Sequence, residues 1–464
     1  EVTLRRTHGE FDEITGAYID LDPTANVHAR AGDENRVIRA KYVVGCDGAR
    51  SGVRAAIGRS MDGDQSMHAW AVMDVLAVTD FPDIRTKCAI NSEHGSILHI
   101  PREGGSLFRM YVDLGDLTDE TEPGIRKTTR ETAIATANKI LHPYTLDVHD
   151  VVWYSVYEVA HRVTDKFDDV PFDREGDQLP RVFIAGDACH THSAKAGQGM
   201  NVSMQDTFNL GWKLGAVLEG RSPESLLATY SAERQTIAQD LITFDKKWSA
   251  MMAKKPEDFE HAEDLGDYYL QTFEFPTGFM TQYQPSMLTG DAKYQHLAAG
   301  FPIGKRFRSE ITTRVADVNT IHLGHHMRAD GRWRLYAFAD SDRTALDRWA
   351  ASLADSVLAR FTPAGADLDT VFDLKVIYQQ QHADIELPTV PQIFLPRVGP
   401  FQLIDYEKVY ATHADTDIFA TRDIDRGGCV VVVRPDQYVA HVLPLTATDE
   451  LAEFFSHNML DQAN

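Results

Sequence analysis

The sequence predicts an α/β protein of several domains, one of them rich in β-strands. The chain has 464 residues, which is more than one domain usually contains. Residues 67–113 alternate apolar and polar side chains with a period of two, as strands buried on one face do. Residues 181–220 read as a short apolar strand, a glycine-rich loop and a helix. From residue 330 onward strands alternate with helices, which indicates a separate α/β domain.

Composition and charge exclude several classes of protein. The formal net charge is −23, whereas affinity for a nucleic-acid backbone comes from clustered lysine and arginine. No apolar stretch approaches the roughly 20 residues that span a bilayer. The four cysteines stand far apart and form no CxxC pair, which favours a reducing compartment over a disulfide framework. We therefore expect a cytoplasmic protein that contacts neither nucleic acid nor membrane.

The first part of the chain is predicted to be mainly β-structure. The segments GAYIDLD, NVHARAG and RVIRAKYVVGCDGARSG form a meander that ends in a glycine-rich turn. The segment HAWAVMDVLAVTD then places five side chains on one face of a strand. They are Trp70, Val72, Asp74, Leu76 and Val78. A hairpin follows whose turn is Glu103-Gly104-Gly105, because adjacent glycines accept the backbone angles of a tight turn.

The second strand of that hairpin, SLFRMYVDL, has two chemically different faces. Leu107, Arg109, Tyr111 and Asp113 share one face, and Phe108, Met110 and Val112 share the other. An arginine and a tyrosine two residues apart suit a pocket for an aromatic ligand. The alternative is an ordinary solvated strand face, which antiparallel sheets often have.

Helices follow in the middle of the chain, and the C-terminal part mixes helices with strands. The segment MNVSMQDTFNLGWKLGAVLEG predicts a helix that stops near Gly220, and Ser222 and Pro223 predict the start of another that reaches about residue 250. Further on, RWRLYAFAD and TVFDLKVIYQQ predict strands, TALDRWAASLADSVLARF a helix, and CVVVVRPDQYVAHVLPL a hairpin. The final helix, TDELAEFFSHNML, has Thr448 as its predicted N-cap, with acids in its first turn.

The loop at residues 186–199 has the chemistry of a site for a polyol and an anion. Asp187 ends an apolar strand, and side chains there project toward the crevice in which α/β sheets bind ligands. Gly197 and Gly199 open the next helix, where glycine lets a ligand approach the backbone and free N–H groups favour negative charge. A carboxylate for sugar hydroxyls followed by such a helix start predicts a nucleotide-type cofactor.

Cys189, His190 and His192 raise the alternative of a metal site in the same loop. Adjacent cysteine and histidine side chains are cramped for one tetrahedral ion, and no second cluster in the sequence supplies further ligands. We therefore expect no metal ion here. A purely structural strand-to-helix turn with incidental histidines is the other alternative.

Two segments carry a family resemblance. The segment GDACHTHSAKAGQGMNVSMQDTFNLGWKL resembles the second flavin motif of the class A flavoprotein aromatic hydroxylases, and CDGARSGVR resembles their DG motif. Residues 330–464, with RGGCVVVVRPDQYVA, are similar to the thioredoxin-like domain of the phenol hydroxylase group in that family. The resemblance implies part of an FAD-binding domain of the p-hydroxybenzoate hydroxylase type, a β-rich substrate domain and a C-terminal thioredoxin-like domain.

The same resemblance implies FAD as the cofactor and NADPH as the electron donor. Asp187 would bind the ribityl chain of the flavin. The helix start at Gly199, Met200 and Asn201, with Gly197 just before it, would face the ring edge where negative charge gathers on reduction. The DG-motif residues that would serve the pyrophosphate region and the nicotinamide donor are Asp47, Gly48 and Arg54.

Residues of the substrate domain receive roles from the resemblance as well. Arg109 would lie against the flavin ring and Tyr111 against the substrate hydroxyl, and Arg102 would lie near the cofactor. Alternation in DIRTKCAI puts Arg85, Lys87 and Ala89 on one face of a predicted strand. We expect Lys87 to meet a substrate carboxylate, and a solvent-facing lysine is the alternative.

The family's activity is hydroxylation of a phenolic ring with O2. We expect 3-hydroxybenzoate as the substrate, converted to 3,4-dihydroxybenzoate, and phenol, converted to catechol, is the alternative. A flavin-free association module on the same fold is an alternative of another class. Cys429 is the only cysteine of the C-terminal domain, so we expect that domain to serve packing and homodimer formation and not dithiol exchange.

The resemblance also predicts how the chain divides into domains. The divisions are a partial FAD-binding domain at 1–65, the substrate domain at 66–170, a return segment of the FAD-binding domain with its helices at 171–252, a connecting segment at 253–329, and the thioredoxin-like domain at 330–464. The family's first flavin motif, GxGxxG, does not occur in the sequence. We therefore expect the chain to begin inside the FAD-binding domain and, by itself, to bind FAD weakly.

Overall fold

The protein divides into two compact units. The computed structural model describes residues 2–5, 35–116, 122–125, 127–192, 199–253, 267–268, 270, 272, 274–275 and 278–462. The first unit comprises residues 1–165, 181–199 and 238–254, and the second comprises residues 166–180, 200–237 and 255–464. Within the described part of the chain, no helix combines the length and the apolar character that crossing a membrane requires.

The first unit is built mainly of strands, with short helices. Its strands are β1 (Val2–Arg5), β2 (Asn35–Ile38), β3 (Val43–Gly45), β4 (Met61–Thr79), β5 (Cys88–Ser92), β6 (Gly95–Pro101), β7 (Phe108–Asp116), β8 (Leu146–Thr164), β9 (Val182–Ile184) and β10 (His190–Thr191). Its helices are α1 (Gly52–Ala56), α2 (Glu122–Ile125) and α3 (Arg130–Leu141). Two longer helices, α4 (Gly199–Leu218) and α5 (Ala228–Ala253), contribute residues to both units.

A six-stranded antiparallel sheet with the order β10-β8-β4-β7-β6-β5 forms the centre of the first unit. One face packs on α3, and its apolar core includes Ala71, Met73, Phe108, Met110, Val112, Ala137 and Ile140. Burying a side chain the size of phenylalanine or methionine contributes ~1.5–3 kcal/mol. The predicted alternation along β7 is confirmed, and the opposite face is left for polar and aromatic side chains.

The tight turn predicted between β6 and β7 is confirmed as well. Gly104 and Gly105 both have a φ of +78°, a conformation that residues with a Cβ rarely adopt. The Arg102 amide donates to the Leu107 carbonyl across the turn, at 2.9 Å. The turn therefore fixes the register of β7 and decides which of its side chains leave the core.

A smaller sheet pairs β3 with β9 in parallel, with Val43 opposite Val182 and Gly45 opposite Ile184. Gly45 is needed there because a Cβ at this position would lie 2.7 Å from the Cβ of Val53. Strands β2 and β3 confirm the strand prediction for the end of the N-terminal meander. The segments GAYIDLD and NVHARAG lie outside the described residues.

The second unit contains a larger mixed sheet. Its strands are β11 (Ile311–Arg314), β12 (Thr320–His322), β13 (Trp333–Phe338), β14 (Phe372–Tyr378), β15 (Arg397–Val398), β16 (Leu403–Ile404), β17 (Val409–Thr412), β18 (Cys429–Val433) and β19 (Val439–Pro444). Its further helices are α6 (Thr344–Leu353), α7 (Ala359–Phe361), α8 (Ile418–Thr421) and α9 (Thr448–Asn458). Seven of these strands form one sheet in the order β12-β11-β17-β14-β13-β18-β19.

The connections within this sheet confirm the predicted thioredoxin-like domain. Strand β13 runs through α6 into β14, its parallel neighbour, and β18 pairs antiparallel with the other side of β13. The hairpin β18–β19 and helix α9 complete the unit. Cys429 is buried, and burial raises the pKa of its thiol, so the sulfur stays protonated and unreactive.

Two helix starts differ from those predicted. Helix α9 begins at Thr448, so Ala447 and not Thr448 occupies the N-cap position. Pro223 precedes a 3₁₀ turn at Glu224–Leu227, and α5 begins only at Ala228. The predicted stop near Gly220 is confirmed, since α4 ends at Leu218 and Gly220 has a φ of +70°.

Residues 171–180 and 200–237 group with the C-terminal half of the chain, whereas residues 181–199 and 238–252 of the predicted segment 171–252 group with the N-terminal half. A buried ion-pair network explains this grouping. Glu233 pairs with Lys213 and Arg434, and Arg434 also pairs with Asp436. Asp206 and Arg234 form a neighbouring pair at 2.7 Å, with both side chains fully buried. We call these six residues the buried ion network; the functional boundaries between domains stay a prediction.

Candidate functional site

Two loops of the first unit lie at the same edge of the β3–β9 pair. Strand β3 leads into Cys46-Asp47-Gly48, and β9 leads into Gly186-Asp187. Because the carboxyl ends of parallel strands meet at one edge, the DG and GD motifs become neighbours although they are far apart in sequence. The Ala185 amide continues the pairing by donating to the Gly45 carbonyl at 3.0 Å.

Asp47 shapes the first loop. The Ser51 hydroxyl donates to one of its carboxylate oxygens and the Val53 amide to the other, at 2.5 and 3.0 Å. Burial alone would raise the pKa of Asp47, but these hydrogen bonds lower it on balance. Gly48 has a φ of +80° and open space where a side chain would begin, so the loop backbone can approach a ligand closely.

Arg54 ties the two loops together. Its guanidinium donates to the Ala188 carbonyl at 3.0 Å and to the Ala49 carbonyl at 2.8 Å. The sequence predicts Asp47, Gly48 and Arg54 as residues for the pyrophosphate region and the nicotinamide donor. In the structure Asp47 and Arg54 hold the loops in place, and their contact with a ligand stays a prediction.

Asp187 is exposed at the end of β9, within a 3₁₀ turn whose Gly186 has a φ of +62°. Its carboxylate lies within electrostatic range of Tyr157 on strand β8. Burial raises the pKa of Tyr157, and the negative charge of Asp187 adds to that shift. An accessible carboxylate in this position is suited to accept hydrogen bonds from the hydroxyls of a sugar or polyol.

The histidines of this loop pack against the start of α4. A Cβ at Gly199 would lie 2.5 Å from two atoms of the His192 ring, and the His190 and His192 rings stack with centres 6.3 Å apart. The Cys189 carbonyl accepts from the Thr164 amide, and its side chain is buried. No group of three metal-binding side chains occurs among the residues that the structure describes.

The remaining predicted cofactor residues are Gly197, Met200 and Asn201, the last two in the first turn of α4. Gly197 lies outside the described residues. Met200 is 72% exposed. Asn201 belongs to the second unit, where it lines an open cavity of about 350 Å³ together with Met204, Phe208, Tyr283, Arg306 and Tyr438. The helix start is therefore accessible, as a ligand contact would require.

The outer face of the six-stranded sheet gathers the predicted substrate residues. Arg109 and Tyr111 lie on it as predicted, because Asp74 stands opposite Arg109 and Val72 opposite Tyr111 in the β4–β7 register. Arg109 donates through Nε and a terminal nitrogen to the two oxygens of Asp74, at 2.6 and 2.7 Å. Its guanidinium carbon lies 5.1 Å from the centre of the Trp153 ring.

Tyr111 stands beside this ion pair. It packs against Trp70 and Val72, and its hydroxyl interacts with the Arg109 guanidinium. Trp153 packs on the same cluster from the neighbouring strand β8. The result is an aromatic face with one fixed cation, which is the chemistry that a phenolic ligand with an acidic hydroxyl requires.

Arg102 and Lys87 lie at the margin of this face. Arg102 binds Glu103 through two nitrogens at 2.8 Å each, and one of its nitrogens lies 3.7 Å from Asp74. Lys87 is exposed and directly precedes the edge strand β5. The expected strand through residues 85–89 is only partly present, because Arg85 lies in a turn, where it donates to the carbonyls of Leu107 and Arg102.

The sequence did not single out Asp74, Trp153 or Tyr157 as functional residues. Asp74 carried a signal, because it was the only charged side chain on a strand face otherwise occupied by Trp70, Val72, Leu76 and Val78. Its partner could not be read from spacing, since Asp74 and Arg109 are brought together by the pairing of β4 with β7. Trp153 and Tyr157 lie on β8, and the register in which β8 pairs with β4 could not be predicted from the sequence.

Comparison with known proteins adds family and fold. The chain matches the family described as FAD binding domain at residues 13–245 and the family described as phenol hydroxylase, C-terminal dimerisation domain, at residues 281–463. A 3-hydroxybenzoate 4-monooxygenase of Comamonas testosteroni is 51% identical over 440 residues, which cover 91% of this chain and 69% of that protein. A phenol 2-monooxygenase of Aspergillus fumigatus is 35% identical, covering 90% of this chain and 70% of that protein.

Solved structures share the fold at lower sequence identity. A complex of aklavinone-11 hydroxylase with FAD and aklavinone has a TM-score of 0.61 and 18% identity, covering 92% of this chain and 68% of that one. The anhydrotetracycline hydroxylase OxyS of Streptomyces rimosus has a TM-score of 0.58 and 21% identity, covering 92% and 70%. These similarities confirm the predicted fold class.

Proposed function

We propose, from the premise that this chain belongs to the FAD-dependent aromatic monooxygenases of the phenol hydroxylase group, that it hydroxylates 3-hydroxybenzoate to 3,4-dihydroxybenzoate. One oxygen atom of O2 enters the ring, the other leaves as water, and NADPH supplies the two electrons. The observation that carries the proposal is the outer face of the sheet, where Arg109 and Tyr111 meet between Trp70 and Trp153.

The residues around the two loops fit FAD. Asp187 offers an exposed carboxylate to a polyol chain, and Gly48 leaves open space beside the backbone of the DG loop. Gly199, which has the His192 ring close to its backbone, starts a helix of 20 residues, long enough to favour negative charge at its beginning. When bound, FAD supplies the reduction of O2 that the hydroxylation needs.

The chain's own residues would bind and orient the phenol. The Tyr111 hydroxyl, beside the Arg109 guanidinium, can share a hydrogen bond with the phenolic hydroxyl of the substrate and so direct the ring. The cation of Arg109 stabilises the phenolate that makes the ring electron-rich. Trp70 and Trp153 would exclude water from one side of the substrate ring, and excluding water limits side reactions that do not yield product.

Lys87 is proposed to bind the carboxylate of the substrate. It is exposed and sits at the edge strand, where a long flexible side chain can swing toward a ligand on the outer face. Lys87→Met should raise KM for 3-hydroxybenzoate and leave KM for phenol unchanged. Equal effects on both substrates would show that Lys87 has no role in carboxylate recognition. Lys127→Met is a matched control, because Lys127 is also an exposed lysine but lies in a turn outside the strands of the sheet.

Hydroxylation of phenol is the second candidate activity, favoured by the similarity to a phenol 2-monooxygenase. NADPH oxidation and product formation should be measured with both compounds on the purified protein supplied with FAD. Coupled formation of 3,4-dihydroxybenzoate supports the proposal, and coupled formation of catechol alone would replace it. Parallel assays with NADH test the choice of electron donor.

The expected homodimer is also a proposal, supported by the match to a dimerisation domain. Within that domain the hairpin β15–β16 exposes Phe401 by 83% and Leu403 by 66%, and two hydrogen bonds to Asp367 hold it in place. An apolar hairpin of this kind suits the same surface of a second copy. Phe401→Glu should give a monomer in light scattering, whereas Phe172→Glu, outside the matched region, should not.

The cellular compartment is proposed from the cysteines. Cys46, Cys88, Cys189 and Cys429 form no disulfide, as expected of a protein in a reducing environment. A cytoplasmic location follows from this and from the need for NADPH. Fractionation of the source cells, with the protein detected by antibody, would test it.

A further inference from the structure

We infer that Asp74 is a positioning residue that fixes both the orientation and the effective charge of Arg109 beside Tyr111. This inference rests on the proposed function, because Arg109 and Tyr111 are the residues assigned to the flavin and the phenol. Asp74 lies in the middle of β4, on the outer face of the sheet, and only 6% of its surface is exposed. Burying a carboxylate costs free energy unless the charge is paired and hydrogen-bonded, so the partners of Asp74 indicate its role.

The geometry of the pair explains its effect on orientation. Both oxygens of Asp74 accept from Arg109, through Nε at 2.6 Å and a terminal nitrogen at 2.7 Å. Such a two-pronged contact fixes the plane of the guanidinium, which a single contact would leave free to rotate. The Trp153 ring, 5.1 Å from the guanidinium carbon, supports that plane from one side.

The fixed plane leaves one edge of the guanidinium for other partners. Nε and one N–H of a terminal nitrogen donate to Asp74, so the N–H groups left for a ligand are on the two terminal nitrogens, directed away from Asp74. Tyr111, two residues along the strand, interacts with the same guanidinium. Asp74 thereby determines in which direction Arg109 presents its charge to the phenol.

Asp74 also sets the charge of the face. One carboxylate serves two cations, Arg109 at hydrogen-bond distance and Arg102 at 3.7 Å. The exposed Glu103 binds Arg102 from the other side. The carboxylate of Asp74 therefore offsets the positive charge of Arg109, and its removal would leave Arg109 without the carboxylate that it binds, whereas Arg102 would keep Glu103.

Three variants separate orientation from charge. Asp74→Asn removes the charge and keeps the size, and Asp74→Glu keeps the charge and moves it by one methylene. Asp113→Asn is the matched control, because Asp113 lies on the same face of β7, four residues or roughly 13 Å beyond Arg109, and accepts from Ser96 and Gly115.

With FAD bound, Asp74→Asn should shift the flavin reduction potential to a more positive value, since a less compensated cation favours the reduced anionic ring. The fraction of NADPH oxidation that yields product should fall about tenfold, because Arg109 loses its fixed plane. Asp74→Glu should restore the potential but not the product yield. Unchanged potential and yield in Asp74→Asn, or equal shifts in Asp113→Asn, would overturn the inference.

A readout without flavin keeps this test separate from the proposed function. Burial raises the pKa of the Tyr157 phenol, and among the charged groups that act on it Asp74 raises this pKa further. Absorbance titration of the protein minus that of Tyr157→Phe isolates this phenol. Asp74→Asn should move it to lower pH and Asp113→Asn should not. If the wild-type protein binds no FAD and Asp74→Asn still lowers the pKa of Tyr157, the proposed function is refuted, but the electrostatic role of Asp74 is supported.

Discussion

The outer face of the six-stranded sheet and the buried ion network use the same side chains under different conditions. Both contain an arginine that binds a carboxylate through two hydrogen bonds, Arg109 with Asp74 on the outer face and Arg434 with Glu233 in the network. In the buried ion network both side chains of each pair are almost completely removed from water. On the outer face Arg109 keeps 23% of its side chain exposed.

The difference teaches that an arginine in an ion pair can meet a ligand only where part of its side chain stays exposed. In the buried ion network three cations meet three carboxylates, so the charges cancel and every donor is directed inward. On the outer face Arg109 binds the buried Asp74 and Arg102 binds the exposed Glu103, and the Arg109 cation keeps one side toward an aromatic surface. The first arrangement stabilises a fold, and the second can act on a ligand.

The largest expected effect is a loss of stability when the buried ion network is disrupted. Glu233→Gln leaves the buried cations of Lys213 and Arg434 without their shared carboxylate, so we expect unfolding free energy to fall by ~3–5 kcal/mol. Urea unfolding measures this. The exposed pair Lys293–Glu450 gives the control, and Glu450→Gln should cost no more than about 1 kcal/mol. Similar losses in both variants would remove the distinction between buried and exposed pairs.

The next effect concerns the functional side. Tyr111→Phe removes the hydroxyl that contacts Arg109 and keeps the ring that packs on Val72. We expect kcat for product formation to fall by roughly 10²-fold, the usual contribution of one proton-transfer group, with little change in melting temperature. Normal turnover in this variant would remove Tyr111 from the catalytic residues, and a large loss of stability would make its role structural.

Acid sensitivity sharpens the comparison further. Burial by itself would raise the pKa of Glu233, but Arg434 and Lys213 outweigh it and hold that pKa well below its usual value. The folded protein then binds fewer protons than the unfolded one, so this stabilisation is present above about pH 4.3 and is lost as pH falls. Between pH 6 and pH 3, Glu233→Gln should lose stability less steeply than wild type, by up to ~1.4 kcal/mol per pH unit. Parallel curves would contradict the assignment.

The smallest expected effect is a change in activity when Glu103, an exposed carboxylate at the margin of the outer face, is replaced. Arg102 binds Glu103 through two nitrogens, and the neighbouring guanidinium lowers the pKa of Glu103 to about 2. Because water screens this pair, Glu103→Gln should change activity by less than about fivefold. A loss as large as that of Tyr111→Phe would place Glu103 among the residues that act on the ligand.

Local patterns predicted the elements that depend on neighbours in sequence. Period-two alternation gave the two faces of β7, and two glycines gave the turn before it. The resemblance of the C-terminal third gave the thioredoxin-like connection, which the order of strands confirms. The helix starts at Thr448 and Pro223 were misplaced because backbone geometry decides a cap and several local patterns fit the same residues.

Partners that meet through tertiary structure could not be predicted in this way. Asp74 reaches Arg109 only through the register of β4 with β7, and Glu233 reaches Arg434 across 201 positions of the chain. A single sequence carries no information on such pairings, because any buried carboxylate could serve any buried arginine.

The short parallel pairing of β3 with β9 has a consequence for biosynthesis. Val43 meets Val182, so about 140 residues must leave the ribosome after the first motif before the second can join it. Closing so long a loop is slow, and the pairing gains only three residues of ladder in return. The edge at which the DG loop and the Asp187 loop meet is therefore completed late, after the intervening antiparallel sheet has been translated, and in a nascent chain stalled before residue 182 strand β3 lacks its partner β9.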